Sequence, residues 1–140
     1  MSGALIGASV AATGDTGAAL PASLSVIDSR VSPTNSTASF TMSNAGTYSS
    51  VGNDSAPSGT WRNYGASADY DVRFDVSSGS LASGNNGIWE NLGTSRGWSV
   101  TDTVAGGPSG QASGTLRIRR AATGQQIDSC PLSLMATKDI

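Results

Sequence analysis

The chain has 140 residues, a formal net charge of −2, no histidine and a single cysteine. That length suits one domain with a substantial core and at most a short appendage. The composition excludes the usual general base and the commonest zinc ligand, a disulfide or thiolate metal cluster within these residues, and a global positive field of the kind that gathers nucleic acid.

The long-chain helix formers lysine and glutamate are scarce, each present once, at Lys138 and Glu90. Serine, glycine and threonine, all weaker helix formers, dominate together with alanine, and the balance favours an all-β fold. No apolar run approaches the ~18 residues of a membrane span.

Residues 1–20 differ from the rest. Their side chains are mostly small, with Leu5, Ile6, Val10 and Leu20 as the larger apolar groups. Such a segment cannot offset its own ordering entropy. The expectation is an extended N-terminal arm, held by a neighbouring subunit that Leu5, Ile6 and Val10 would grip. The same stretch lacks a basic leading region and has a broken apolar core, so it makes a poor secretory signal. Synthesis in a reducing cytoplasm is expected. Asp15-Thr16-Gly17 is the tripeptide of aspartic proteases. Such a site needs the aspartate at the end of an apolar strand and a second facing carboxylate. Neither is present, so no catalytic role is expected.

From Pro21 the period becomes two, and residues 21–140 are read as the β-sandwich domain. "SLSVIDSRV" places Leu24 and Val26 on one face, and "STASFTMSN" aligns Ala38, Phe40 and Met42. "DYDVRFDV" is the clearest case. Tyr70, Val72, Phe74 and Val76 point one way, and Asp69, Asp71, Arg73 and Asp75 the other, as in a half-buried strand. "GWSVTDTV" aligns Trp98 and Val100, then Asp102 and Val104. "GTLRIRR" turns Leu116 and Ile118 inward, and "QQIDSCPLSLMA" carries Ile127, Leu132 and Leu134 with an expected irregularity at Pro131. Turn-forming stretches such as "GNDSAPSG", "SGNNG" and "AGGPSG" separate these runs at intervals of roughly ten residues. The pattern predicts an antiparallel sandwich of seven or eight strands.

Residues 114–136 read as a long hairpin around "AATGQQ", with a basic outer row at Arg117, Arg119 and Arg120. Such a row can meet aspartates of an adjacent strand or a partner subunit, or blunt an exposed edge. Cys130, beside Pro131 in an apolar stretch, reads as a buried small hydrophobe. Asp69, Asp71 and Asp75 with Asn85, Asn86 and Glu90 offer oxygen ligands for calcium, but strand alternation spreads the aspartates along a row rather than around a cage. No metal site is expected. Asn35-Ser36-Thr37 and Asn53-Asp54-Ser55 match the glycosylation sequon, which carries little weight without a secretory signal. Trp61, Trp89 and Trp98 read as core or rim packing; exposed, they could stack on sugar rings.

Three stretches carry a resemblance. "ASADYDVRFDV", then "GIWENLGTSRGWSV", then "SGTLRIRRAATGQQIDSCPLSLMA" resemble the immunoglobulin-like β-sandwich modules of tailed-bacteriophage structural proteins, above all tail, tail-tip and fibre proteins. Those modules tend to show "YEVR", "W-x-x-L-x-x-x-R-x-W", an "IRDAATG" hairpin and an "LSA"-like closing strand. The corresponding residues are Tyr70 to Arg73; Trp89, Leu92, Arg96 and Trp98; Ile118 to Gly124; and Leu132 to Ala136. The likeness covers residues 60–137 and extends more loosely to "SFTMSNAGTYSS". Arg120 stands where an acidic residue is common, and Cys130-Pro131 interrupts the closing strand.

The resemblance implies a scaffold with no catalytic residues and no cofactor. It implies a virion component, made in the host cytoplasm, whose partners are other virion proteins. It would form a homo-oligomer or stand in repeated copies in a symmetric assembly, with neither nucleic acid nor membrane as partner. The interaction surface would comprise Leu5, Ile6, Val10, Arg117, Arg119 and Arg120. The alternatives are a head decoration (cement) protein of the capsid, and a carbohydrate- or receptor-binding module that meets a host-surface glycan.

Overall fold

Alternation along each strand decides what enters the core, and the resulting apolar faces need each other for burial. In the computed structural model, which describes residues 19–43, 46–61 and 69–139, two sheets meet in this way and no α-helix occurs among the described residues. The elements are β1 (Leu24–Val31), β2 (Ser36–Ser43), β3 (Thr47–Val51), β4 (Gly59–Thr60), β5 (Tyr70–Gly79), β6 (Glu90–Asn91), β7 (Ser95–Asp102), β8 (Gly110–Arg120) and β9 (Gln126–Asp139). Two of these nine segments, β4 and β6, are only two residues long.

A five-stranded sheet has the order β1-β9-β8-β5-β6, and a four-stranded sheet the order β4-β3-β2-β7. Pairing is antiparallel throughout except for β1, which runs parallel to β9 from Leu24↔Leu132 to Val31↔Asp139. The expected hairpin is β8–β9. It closes over residues 121–125, where Gly124 has a φ of 73° and donates its N–H to the Arg120 carbonyl at 2.8 Å. A left-handed residue suits this turn, and glycine adopts that conformation without strain.

The inward rows meet as the alternation predicts. Val72, Phe74, Leu116, Ile118, Leu132 and Leu134 from one sheet are buried, as are Ala38, Phe40, Met42, Trp98 and Val100 from the other. Aromatic edges lock the two layers. Phe74 meets Trp98 edge-on at 5.9 Å, and Trp61 meets Tyr70 at 5.0 Å and 89°, a geometry that the ring quadrupoles favour. The Trp98 indole N–H finds the Asn85 carbonyl at 2.9 Å.

Four details differ from the sequence reading. Leu20 is buried in the core and its N–H reaches the Asp128 carboxylate at 2.8 Å. The packed domain therefore begins before Pro21. Val104 is 63 % exposed because β7 ends at Asp102, and alternation lapses with it. Pro131 stays in the ladder opposite Thr115. β1 joins only at the next residue, so the proline stands where β9 is still an edge and its missing N–H is tolerated. The register shifts fall instead between Ile118 and Arg119 and between Val76 and Ser78. At the second shift β5 and β8 approach so closely that a Cβ on Gly114 would collide with the Asp75 carbonyl oxygen.

Two of the four sheet edges, β1 and β7, are occupied by loops. Beyond β1, Ile27 exchanges backbone hydrogen bonds with Ser55 at 3.0 and 3.1 Å. The Asn53 side chain imitates a strand residue, accepting the Ser29 N–H at 2.8 Å and donating to the Ser29 carbonyl at 2.6 Å. Beyond β7, Ser99 and Ser83 exchange backbone bonds at 3.1 and 3.3 Å. These contacts remove templates on which another chain could add a strand.

Alternation also buries the carboxylates of Asp102, which the sequence aligned with the inner row, and of Asp28, which the sequence reading passed over. Asp28 follows Leu24 and Val26 onto the inner face and is 1 % exposed. Its Oδ1 accepts from Asn53 N at 3.0 Å and its Oδ2 from Ser36 Oγ at 2.8 Å and Thr37 N at 3.1 Å, while Arg30 Nε donates to both oxygens at 3.2 Å. Burial pushes this carboxyl up, but the bonds from Arg30, Ser36, Asn53 and Thr37 together hold it below its ordinary 3.8. Asp102 accepts Lys138 N at 2.7 Å and Val104 N at 3.2 Å, tying β7 to β9. Each carboxylate satisfies backbone donors that would otherwise be stranded.

Three outcomes are expected. Phe74→Ala should cost ~3–5 kcal/mol, a large part of the ~5–15 kcal/mol that holds such a domain. An unchanged thermal midpoint would place Phe74 on the wrong face. Asp28→Asn turns one acceptor into a donor that faces another donor, so a loss of about 1–3 kcal/mol is expected in denaturant titrations. A depressed folded-state pKa gives stabilisation that is complete above the unfolded value and is lost as pH falls through the folded one. The thermal midpoint should therefore drop below about pH 4, and less steeply in Asp28→Asn. Wild-type and variant curves with the same acid limb would contradict the role given to Asp28.

Candidate functional site

The outer face of the five-stranded sheet gathers the ionic groups. β5 and β8 are neighbours in the order Asp71↔Arg119, Arg73↔Arg117 and Asp75↔Thr115. Two arginines thus stand directly opposite each other, which by itself is unfavourable. Asp75 resolves the conflict. Its Oδ1 accepts Arg73 Nε at 2.5 Å and its Oδ2 accepts Arg117 Nε at 2.8 Å. Arg119 Nε meets Asp71 Oδ2 at 2.9 Å, and Arg117 Nη1 lies 3.4 Å from Gln126 Oε1. Burial pushes the Asp75 carboxyl up, while its bonds and charge attraction to Arg73 and Arg117 bring it below 3.8.

Trp89 completes the cluster. The Arg119 guanidinium lies 4.3 Å from its ring centroid and that of Arg73 5.6 Å, within cation–π range. The residue precedes β6, and Asn91 of that strand pairs with Asp71. Sequence reasoning placed Trp89 in generic packing because "GIWEN" has no alternation to assign its face. Trp61 and Trp98 are each 1 % exposed and belong to the core.

The predicted surface residues fall into three groups. Arg117 and Arg119 share the outer face and are paired within the sheet. Arg120 lies opposite Tyr70, on the other side of β8 from Arg119. Leu5, Ile6 and Val10, like Asp15, lie outside the described residues. β8 is an interior strand between β9 and β5, so its arginines do not guard an edge.

Five of the six calcium candidates are engaged elsewhere. Asp71 and Asp75 hold arginines, Asn86 Oδ1 accepts Val76 N at 2.9 Å, and Asn85 donates to Glu90 at 2.9 Å. Among the described residues no group of three or more metal-binding side chains converges. Cys130 is buried, and its thiol is pushed up by burial and by the nearby Asp128. Three surface grooves of about 340, 390 and 450 Å³ are lined by backbone, hydroxyl, amide and apolar groups, with no ionisable acid or base.

The arginines and Asp75 are about one-third exposed or less, so solvent screens their pairing. A double-mutant cycle on Arg117→Gln and Asp75→Asn should return about 0.2–1 kcal/mol of coupling. That coupling should shrink in about 1 M salt, where the Debye length is ~3 Å. A coupling that salt leaves unchanged would mean the pair is drier than its exposure implies.

No protein-family model, curated protein or solved structure matches this chain.

Proposed function

We propose that the chain is a non-enzymatic structural module of a tailed-bacteriophage virion, an assembly component of the tail, tail tip or fibre. The observation that carries this reading is where the three resembling stretches sit. They occupy β5, the β6–β7 segment, and the β8–β9 hairpin. β5, β8 and β9 are consecutive neighbours in one sheet, so the likeness follows a contiguous piece of the fold rather than scattered residues.

The immunoglobulin-like type is part of the same proposal. The run β9-β8-β5-β6 parallels the G-F-C-C′ order of variable-type domains, and the β2–β7 pair parallels B–E. The chain departs from that plan in the four-stranded sheet, where β7 is an edge and no strand among the described residues takes the place of D. The β3–β4 segments occupy the place beside β2 where the first strand would lie, and β1 pairs with β9 instead. The covered β1 and β7 edges and the two-residue edge strands β4 and β6 suit a module that stands in many copies without uncontrolled strand pairing. A head decoration position is less favoured, since the resemblance points to tails.

A glycan-binding module is the second reading. It is favoured by one observation, an indole placed among arginines on an outer sheet face.

Removing residues 1–18, which keeps the buried Leu20, should leave a folded domain that no longer enters particles. Mass spectrometry of purified virions, heads and tails separated, would measure this. Truncated protein incorporated at wild-type levels would deny the arm any part in assembly. Absence of the full-length chain from virions would end the structural reading.

A further inference from the structure

The two outer faces of the sandwich differ in chemistry. The four-stranded sheet presents small uncharged groups, with Thr37, Ser39, Thr41, Ser95, Gly97 and Ser99 around one shallow groove. The five-stranded sheet presents Arg73, Arg117, Arg119 and Trp89 with Asp71 and Asp75. We propose that this second face docks a protein partner through that partner's carboxylates, centred on Trp89, Arg73 and Arg119. The proposal rests on the structural-module reading only for the presence of a protein neighbour.

Charge is the first argument. Three guanidiniums share two carboxylates, so the cluster keeps a positive excess on a chain whose net charge is −2. Each arginine spends its Nε on an aspartate. Among the described residues the terminal nitrogens of Arg73 and Arg119 make no further hydrogen bond. A guanidinium offers five N–H donors in a fixed plane, and that plane can grip a second carboxylate in two parallel bonds.

Residue type is the second argument. Tryptophan and arginine dominate the energetic centres of protein interfaces, whereas lysine and glutamate are depleted there. This face has both favoured types, and Lys138 and Glu90 are elsewhere. Glu90 is turned to Arg96, 3.6 Å away, and to Asn85. Preorganisation is the third argument. The ion pairs and the Trp89 ring bias the arginines toward one arrangement before a partner arrives, so less side-chain freedom is lost on binding.

Poly-L-glutamate is the probe, added to the full chain at low salt and followed by calorimetry and tryptophan fluorescence. Trp61 and Trp98 are buried, so the fluorescence response should come from Trp89 and vanish in Trp89→Phe. Saturable binding is expected, at least about tenfold weaker in Arg73→Gln with Arg119→Gln and lost in about 1 M salt. Trp89→Ala leaves every charge in place and should also weaken binding, which keeps the test open if the double variant does not fold. No saturable binding, or equal affinity in wild type and all variants, would overturn the proposal. So would binding of dextran sulfate with the same arginine and Trp89 dependence in the absence of poly-L-glutamate binding, which would point to an anionic saccharide. The arm truncation removes none of the residues of this face, so the assembly reading and this inference can fail separately.

Discussion

Leu116 and Ile118 must face the core, and that constraint on β8 organises much of the molecule. β8 lies between β9 and β5, so both of its neighbours take their register from it. Once its even positions are inside, Arg117 and Arg119 are outside. The same rule applied to β5 puts Asp71, Arg73 and Asp75 beside them. The charged face and the apolar core are thus two sides of one alternation. A slip of one residue would bury the arginines and expose Leu116 and Ile118.

Buried carboxylates do complementary work at the margins. Asp28 joins β1, the start of β2 and the loop at Asn53, and Asp102 joins β7 to β9. A carboxylate can accept several bonds at once, so it can gather N–H groups at places where ladder pairing stops. The loop that Asp28 anchors is the one that covers the β1 edge through Asn53 and Ser55. Edge protection and the buried charge are therefore one arrangement. That linkage explains why an acid-sensitive group sits on the inner face of β1.

The functional reading has a similar shape. Neither the described carboxylates nor the three grooves assemble an acid–base pair, and Asp71 and Asp75 are held by arginines of the outer face. Trp89 breaks the pattern, because it puts a large aromatic surface on the ionic face. An indole held by two guanidiniums is a rigid element, and rigid aromatic elements are useful where another surface must settle in one orientation. The proposed assembly role and the proposed acidic partner both draw on that property.

Much of the fold was legible because side-chain direction in a strand is local. "DYDVRFDV" and "GTLRIRR" state their inner and outer faces by period alone, and those faces hold in the structure except that Asp71 on the outer row is buried and Val76 on the inner row is only half-buried. By itself the sequence determined the β class, the hairpin and most of the core. It also determined that Arg117 and Arg119 point away from Leu116 and Ile118. Only the tertiary structure decided who meets whom. Arg117 finds Asp75 42 residues away and Arg119 finds Asp71 48 residues away. The parallel pairing of β1 with β9, the covering of the β1 and β7 edges and the contact of Trp89 with Arg73 and Arg119 also join residues distant in sequence. Alternation orients a side chain but does not choose its neighbour, because that choice depends on which sheets close around the core.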